Sequence, residues 1–570
     1  MGGLLRQTGG LRRDWEQVLD DSNWSTTKMP QELNHTVYLS YEHMPSYLKQ
    51  CFLFYSLLPK SRIFNLDQVV AMWISEGFIH GNSIDLEELG ENYYKELVSR
   101  NLIEPDKSYV DLWVCSMHDV VRSFAQYMTK DEALVAQDGE NDILAKLSIQ
   151  NFLRLSIETN QSQSGELDWK CPQAQQSVRT LISTIKIKMK PSDSLATFSS
   201  LRTLHMESAD IAVLLESLHQ LKHLRYLALV NADISVLPEN IGKMKLLQFL
   251  VLVGCINLDE LGPLSQLRFL ELVQLENVSA ASFAANARLS EKMHLITLML
   301  ACTSKLGNDG LVKEKEGVFE EEQQRIEKVL DKLCPPSTVE VLELKGYFGR
   351  QLPRWMMSTS MVPLNNLKII LFSDLACCTQ LPNGLCQLPN LQFLQVSRAP
   401  CIKHVGTGFL QVAVASFPRL NKLVLKGMVE WEEWEWEEQV QAMRRLEELV
   451  LSECRLRHVP PGLASDASSL KLLILHQVKH LTNIESFPSV VELLLNGCPD
   501  LERITDLPNL QKLTIENCPK LKVLEHIPSL ERLVLKDYAM EKLPEYMRDI
   551  KPRHLQLGED PIFGRYDGVC

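Results

Sequence analysis

No run of about 18 apolar residues occurs in the chain, so no membrane span is predicted. The opening, Met1-Gly-Gly-Leu-Leu-Arg-Gln-Thr-Gly-Gly, has no long apolar stretch and predicts no signal peptide. The 14 cysteines include no Cys-x-x-Cys and no ordered pairing with histidine, which predicts reduced thiols in a cytosolic protein. A Gly-x-x-x-x-Gly-Lys-Ser/Thr loop is missing, and so is an apolar strand ending in paired aspartates for magnesium. The pairs Gly2-Gly3 and Gly9-Gly10 do not replace that loop, because no Lys-Ser or Lys-Thr follows them and no apolar strand precedes them. Positive charge is also short. Lys and Arg number 59 against 72 Asp and Glu, a net charge of −13 and a pI near 5.6. That balance argues against a general binder of nucleic acid or anionic membrane, while leaving room for a local basic patch.

What the chain has is a repeat. In Leu510-Gln-Lys-Leu-Thr-Ile-Glu-Asn-Cys518, apolar residues fall at positions one, four and six, and a cysteine follows by three. The frame returns as Leu530-Glu-Arg-Leu-Val-Leu, Val490-Val-Glu-Leu-Leu-Leu-Asn-Gly-Cys498, Leu446-Glu-Glu-Leu-Val-Leu-Ser-Glu-Cys454 and Leu247-Gln-Phe-Leu-Val-Leu-Val-Gly-Cys255. Starts at Val490, Leu510 and Leu530 are 20 residues apart; those at Leu201, Leu224 and Leu247 are 23 apart. Such a period and frame define leucine-rich repeats. Positions four and six flank one outward residue, as in a strand, and stacked coils bury each other's leucines. The Cys after the strand turns inward at the bend. The pairs Leu237-Pro238, Leu352-Pro353, Leu381-Pro382 and Leu543-Pro544 predict an irregular return path rather than regular helix. The fold class expected is α/β: a leucine-rich-repeat solenoid preceded by a small, mainly α winged-helix domain.

Residues 1–33 are partly helical in pattern, with Leu11, Trp15, Val18 and Leu19 on one face. Residues 34–130 predict a compact helical domain. Ser46 to Pro59 is too apolar for a surface helix. Asn65 is an N-cap for Leu66 to Ile74, Gly77 and Gly81 bound its end, and Leu86 to Val98 is a third helix. Glu104-Pro105-Asp106 and the β-prone Tyr109 to Cys115 predict a short hairpin; three helices with a hairpin suggest a winged helix. A further helix starts near His118, with Asp119 as its expected cap. Residues 131–200 are a transition with first strands at 151–157 and 178–182, separated by a loop from Glu158 to Trp169. Residues 201–570 hold the regular array.

The segments Leu39-Ser-Tyr41, Leu48-Lys-Gln-Cys-Phe-Leu-Phe-Tyr-Ser-Leu-Leu-Pro59, Met72-Trp-Ile-Ser-Glu-Gly-Phe-Ile79, Leu97-Val-Ser-Arg-Asn-Leu-Ile103 and Met117-His-Asp119 resemble the motifs of plant intracellular immune receptors of the nucleotide-binding (NB-ARC), leucine-rich-repeat class, in their coiled-coil branch. With the repeats, the resemblance covers nearly the whole chain. It implies that 1–33 corresponds to the end of an NB-ARC helical subdomain, that 34–130 is its winged-helix subdomain, and that the chain starts after the ATPase core. It implies ADP or ATP as cofactor, with His118 of the Met117-His118-Asp119 motif touching the phosphates. The missing phosphate loop argues against nucleotide binding by this chain alone. The resemblance further implies a cytoplasmic, non-enzymatic disease resistance protein. Its partners would be a pathogen effector or a guarded host protein, with intramolecular or receptor–receptor contacts besides.

Two irregularities interrupt the array. Residues 303–337 insert a polar segment whose Val318 to Leu330 is an amphipathic helix. The other is Glu430-Trp-Glu-Glu-Trp-Glu-Trp-Glu-Glu438, read either as an aromatic ligand cage or as a loop whose rings cover the solenoid edge; the second is favoured. Outward strand positions include Arg225, Tyr226, Arg268, Phe269, Phe249 and Phe393, and the aromatic four share one column. That column is the candidate protein-binding surface, unless part of it packs on the winged helix. Its continuation turns to charge at Lys422, Glu448, Glu492, Lys512 and Arg532. Three rival readings remain: a general leucine-rich-repeat interaction scaffold without signalling, an enzyme-class nucleotide-dependent switch that would need the missing phosphate loop, and a winged-helix DNA binder. The helix from Asn65 to Ser75, which would enter the groove, has no Lys or Arg and fits DNA poorly.

Overall fold

The computed structural model describes residues 35–60, 62–81, 85–106, 114–137, 147, 149–158, 166–168, 170–173, 175–188, 194–207, 217–230, 237–254, 256–313, 318–357, 364–410, 416–436, 441–536, 544–548 and 552–557. The helix expected at Leu11–Leu19, most of the stretch Tyr109–Cys115, and Cys255 lie outside the described residues. The chain divides into two compact units, Met1–Gly254 with Pro561–Cys570, and Cys255–Asp560.

The first unit opens with helices α1 (His35–Glu42), α2 (Ser46–Tyr55), α3 (Leu66–Glu76) and α4 (Leu86–Ser99). An antiparallel pair follows, β1 (Glu104–Pro105) with β2 (Cys115–Ser116), and then α5 (Asp119–Met128). The α3 boundaries follow from chemistry. The Asn65 side chain accepts from the Gln68 N–H at 2.9 Å, and the Gln68 side chain accepts from the Asn65 N–H at 3.4 Å, a reciprocal cap. Gly77, at φ +84°, closes the other end. Val69 to Ile74 are buried on every side, so α3 is the core of this domain. Helix α4 approaches closely at Gly90, where a Cβ would stand 2.4 Å from a Val70 methyl. Arg122 of α5 donates to the Ser56 and Leu58 carbonyls at 3.0 and 2.6 Å, satisfying groups beyond the end of α2.

The same unit continues as a parallel ladder of β3 (Ala133–Gln137), β4 (Arg154–Glu158), β6 (Thr180–Ser183), β8 (Thr203–Glu207), β9 (Tyr226–Val230) and β10 (Phe249–Val253). A second small sheet pairs β5 (Glu166–Asp168) with β7 (Lys186–Lys188). Two expectations change here. The ladder begins with β3, one strand ahead of the strand expected at 151–157. The segment expected as a loop from Glu158 to Trp169 contains β5, a strand of three residues, too short for its alternation to show in the sequence.

The second unit carries its main parallel ladder on β11 (Phe269–Val273), β12 (Thr297–Ala301), β13 (Val341–Lys345), β14 (Ile369–Ser373) and β15 (Phe393–Ser397). After β16 (His404–Val405) the ladder resumes with β17 (Lys422–Lys426), and after β18 (Glu433–Trp434) with β19 (Glu448–Cys454) and β20 (Leu472–Val478). Strands β21 (Asn483–Glu485), β23 (Arg503–Thr505) and β25 (Val523–Glu525) form a minor sheet. They alternate in sequence with β22 (Glu492–Asn496), β24 (Lys512–Glu516) and β26 (Arg532–Lys536) of the ladder, which ends at β27 (His554–Leu557). Leu423, Leu449, Leu473, Leu493, Leu513 and Leu533 stand in register on neighbouring strands and are wholly buried. Eight coils then bend through a left-handed residue: Gly346, Asp374, Arg398, Gly427, Glu453, Gln477, Gly497 and Asn517 have φ between +51° and +67°. Cys454, Cys498 and Cys518 are buried as the frame requires, and burial pushes the Cys454 thiol up to about 11. The Leu-Pro pairs at 237–238 and 381–382 lead into 3-10 turns, Ile241–Lys243 and Asn383–Gln387.

Helix α6 (Glu320–Lys332) buries Ile326, Val329 and Leu330 and packs on the short helix Ala281–Asn286. Trp431 and Trp434 are 0% and 2% exposed with ring centroids 5.5 Å apart, so among the described residues these two rings line no open cage. The neighbouring acids Glu430 and Glu432 pair with Arg455 and Arg457 at 3.2 and 2.7 Å.

Leu513→Asp places an unpaired carboxylate in the stacked core and is expected to destabilise the second unit by several kcal/mol, on the order of a buried charge without a partner. Lys512→Asp, one residue away and facing solvent, is expected to change stability by no more than about 1 kcal/mol. Chemical denaturation of both variants checks this; equal losses would contradict the inward–outward frame.

Candidate functional site

Helix α3 ends on the outward face of the first unit's ladder, against β8 and β9. Its last residue, Glu76, is 5% exposed. One Glu76 carboxylate oxygen accepts from both the Thr180 and the Thr203 hydroxyl at 2.8 Å. The Glu76 carbonyl accepts from the Arg202 guanidinium at 2.7 Å. Three donors from β6, β8 and the residue before β8 therefore converge on one helix end. Around them, the Lys60 N–H donates to Glu158 at 2.9 Å and Arg62 pairs with Glu207 at 3.0 Å. The Arg154 guanidinium lies 5.4 Å from the Phe78 ring centre. His205 sits 3.3 Å from the Glu207 carboxylate and 5.2 Å, ring to ring, from Phe64; burial lowers its proton affinity below the usual histidine value. Neither Glu76 nor Arg202 is singled out by spacing. Their signal is weak: Thr at two successive outward positions, each preceded by Arg.

This contact corrects the expected aromatic column. Tyr226, Phe249 and Phe269 are 0%, 1% and 2% exposed, and only Phe393 is half-buried, with the Lys422 ammonium 5.6 Å from its ring centre. Strand alternation places Tyr226 outward, but α3 lies on its strand, so outward here does not mean wet. Arg225 is half-buried, one strand from Arg202. Phe269 and Phe393 belong to the second unit with Arg268, whereas Tyr226 and Phe249 belong to the first.

Met117, His118 and Asp119 lie between β2 and α5. Met117 is buried; His118 and Asp119 are exposed. The cap of α5 is His118 rather than Asp119: its Nδ1 accepts from the Val120 N–H at 3.2 Å. Asp119 is the first helical residue and pairs with the Lys60 ammonium, whose hydrogen bond and charge hold its carboxyl below the usual carboxylate range. Because an amide N–H can only donate, the neutral His118 ring carries its proton on Nε2 and can offer it to an acceptor. ADP or ATP fits these residues only in part. His118 supplies one donor, while the chain has no glycine-rich cradle and no phosphate-binding lysine motif. Among the described residues no group of His, Cys, Asp and Glu is arranged to hold a metal ion, and no helix is long and apolar enough to cross a membrane.

The architecture is a winged helix followed by leucine-rich repeats. Residues 57–125 match the winged helix domain of disease resistance proteins, 177–281 a leucine-rich repeat region, and 258–399 the R13L1/DRL21 leucine-rich repeats. A putative disease resistance RPP13-like protein 1 of Arabidopsis thaliana is 30% identical over 76% of this chain and 46% of its own length. A putative disease resistance protein RGA1 of Solanum bulbocastanum is 30% identical over 22% of this chain and 13% of its own length. The chain belongs with the disease resistance proteins that carry a winged helix and leucine-rich repeats. It spans about half the length of the Arabidopsis relative.

Glu76→Ala is expected to destabilise the first unit by about 1–3 kcal/mol, since it strands two buried hydroxyls. Replacing Thr180 and Thr203 by Val in the same variant should recover part of that loss. Urea unfolding followed by tryptophan fluorescence reads both; an unchanged transition in Glu76→Ala would contradict the role given to this carboxylate.

Proposed function

We propose that this chain is the winged-helix and repeat portion of a plant receptor for innate immune defence. It acts in the cytoplasm and recognises a pathogen effector or a guarded host protein through its repeats; it is a receptor and not an enzyme. The observation that carries the reading is the division of labour among outward strand positions. In the first unit they are occupied by α3 through Glu76. In the second unit the matching column holds Lys422, Glu448, Glu492, Lys512 and Arg532. Its cross-strand pairs are Lys422–Glu448 at 3.0 Å and Lys512–Glu492 at 3.4 Å, and Lys512 and Arg532 are exposed. Alternating charge on an outward column offers a partner complementary charge and so selects it. The relatives, named as disease resistance proteins, support the same role.

The winged helix serves as part of an ADP-dependent switch, with His118 Nε2 as the group that meets a phosphate oxygen. Because the sequence lacks the phosphate loop, calorimetry on this chain should detect no ADP binding. In a chimera that adds, upstream, a nucleotide-binding region with the phosphate loop, of the receptor class this chain resembles, ADP should be retained. There His118→Ala should weaken retention roughly ten- to a hundredfold, the effect of losing one charge-assisted hydrogen bond. Low-micromolar ADP binding by the present chain would contradict this reading, as would a chimera indifferent to His118→Ala.

A further inference from the structure

Although the chain carries a net charge of −13, the first unit concentrates arginine in one place. Arg179, Arg202 and Arg225 immediately precede β6, β8 and β9. They stand on adjacent strands, because the Arg202 N–H donates to the Arg179 carbonyl at 2.7 Å and the Arg225 N–H to the Arg202 carbonyl at 2.9 Å. Neighbouring strands are about 4.8 Å apart, so three guanidinium side chains leave the ladder edge in file at that step. Lys222 and His223 are exposed just before the third.

The local acids are already used. Glu207 pairs with Arg62 and Glu132 with Arg154. The Glu76 carboxylate is taken by Thr180 and Thr203, and only its carbonyl serves Arg202. Among the described residues the Arg179 and Arg225 side chains have neither a hydrogen bond nor an ion pair, and Arg179 is exposed while Arg225 is half-buried. Each guanidinium raises the cost of charge on the one beside it, so the file is short of anions.

We propose that the Arg179–Arg202–Arg225 file docks the acidic face of a helix in a protein partner. Carboxylates four residues apart on a helix are about 5–6 Å apart, close to the step of the arginines. Guanidinium forks pair bidentately with carboxylates, which turns a charge match into a geometric one. A nucleic acid fits less well. The file is only three strands long, its aromatic neighbour Tyr226 is buried and cannot stack on a base, and the chain as a whole repels an extended polyanion. The inference is independent of the recognition face proposed for the second unit, and either can fail alone.

The test is fluorescence anisotropy on the full chain, using a synthetic helical peptide with glutamate at every fourth position. A peptide of the same composition, with the glutamates spread around the helix, is the comparison. The aligned peptide should bind, the spread peptide should bind about tenfold more weakly, and added salt should weaken the complex. Arg179→Glu with Arg225→Glu should weaken binding of the aligned peptide by more than about tenfold, and Arg179→Gln with Arg225→Gln by less. Lys328→Glu, an exposed charge reversal on α6, should leave it unchanged. The glutamine pair keeps the experiment decisive if the glutamate pair disturbs folding, which thermal melting reports. Equal affinity for the two peptides, no affinity for either, or binding of tripolyphosphate or an RNA oligonucleotide in place of the aligned peptide would overturn the proposal.

Discussion

One coil of these repeats cannot bury its own leucines. Two or three inward side chains on a five-residue strand have one apolar side and nothing behind it, so each coil depends on the next for its core. Most of what the second unit shows follows from that dependence. Strands must be parallel and in register for Leu423, Leu449, Leu473, Leu493, Leu513 and Leu533 to form one continuous column. The chain must also reverse direction within a few residues after every strand, which explains the recurring left-handed residue. Glycine takes that conformation without strain at Gly346, Gly427 and Gly497. Arg398, Glu453 and Gln477 take it at a cost of about 1–2 kcal/mol each, offset by the packing of the coil they close.

Once inward positions are fixed by stacking, outward positions are free to differ, and the two units use them differently. In the first, they anchor a helix end: Thr180 and Thr203 hold Glu76, and His205 and Phe64 lie ring against ring. Winged helix and first repeats are thereby parts of one compact unit. In the second, the same column carries alternating charge, Lys422 against Glu448 and Glu492 against Lys512. Lys422 and Glu448 are half-buried, whereas Lys512 is exposed and its pair contributes little to stability.

The repeat frame was legible because it is periodic, and Leu513 inside beside Lys512 outside follows from that frame alone. The α3 boundaries were legible at Asn65 and Gly77 because caps are local chemistry. Tyr226 was not. Alternation says which side of a strand a residue leaves from, and nothing in it says that a helix more than a hundred residues earlier will cover that side. His118 in place of Asp119 as cap was missed for a related reason. Aspartate is the stronger capping residue in general, but where the helix begins depends on backbone that the hairpin and Lys60 position. Strands β5, β16 and β21 have two or three residues, too few to show a period.

The coils beginning at Val490 and Leu510 are close to interchangeable parts. Each has an inward cysteine, Cys498 or Cys518, and each is joined to the coil before it by the same bond, Val491 N–H to the Lys471 carbonyl at 2.9 Å and Gln511 N–H to the Val491 carbonyl at 2.8 Å. Each is entered through a left-handed residue, an apolar residue and a proline: Ser486-Phe487-Pro488 and Asp506-Leu507-Pro508, with His526-Ile527-Pro528 leading into the next. A duplication or deletion of 60 nucleotides in frame, at any point in this region, would add or remove one whole coil and leave every inward column unbroken. Misaligned recombination between such segments therefore yields folded products as a rule. Length variation in this part of the gene becomes a cheap source of new surface.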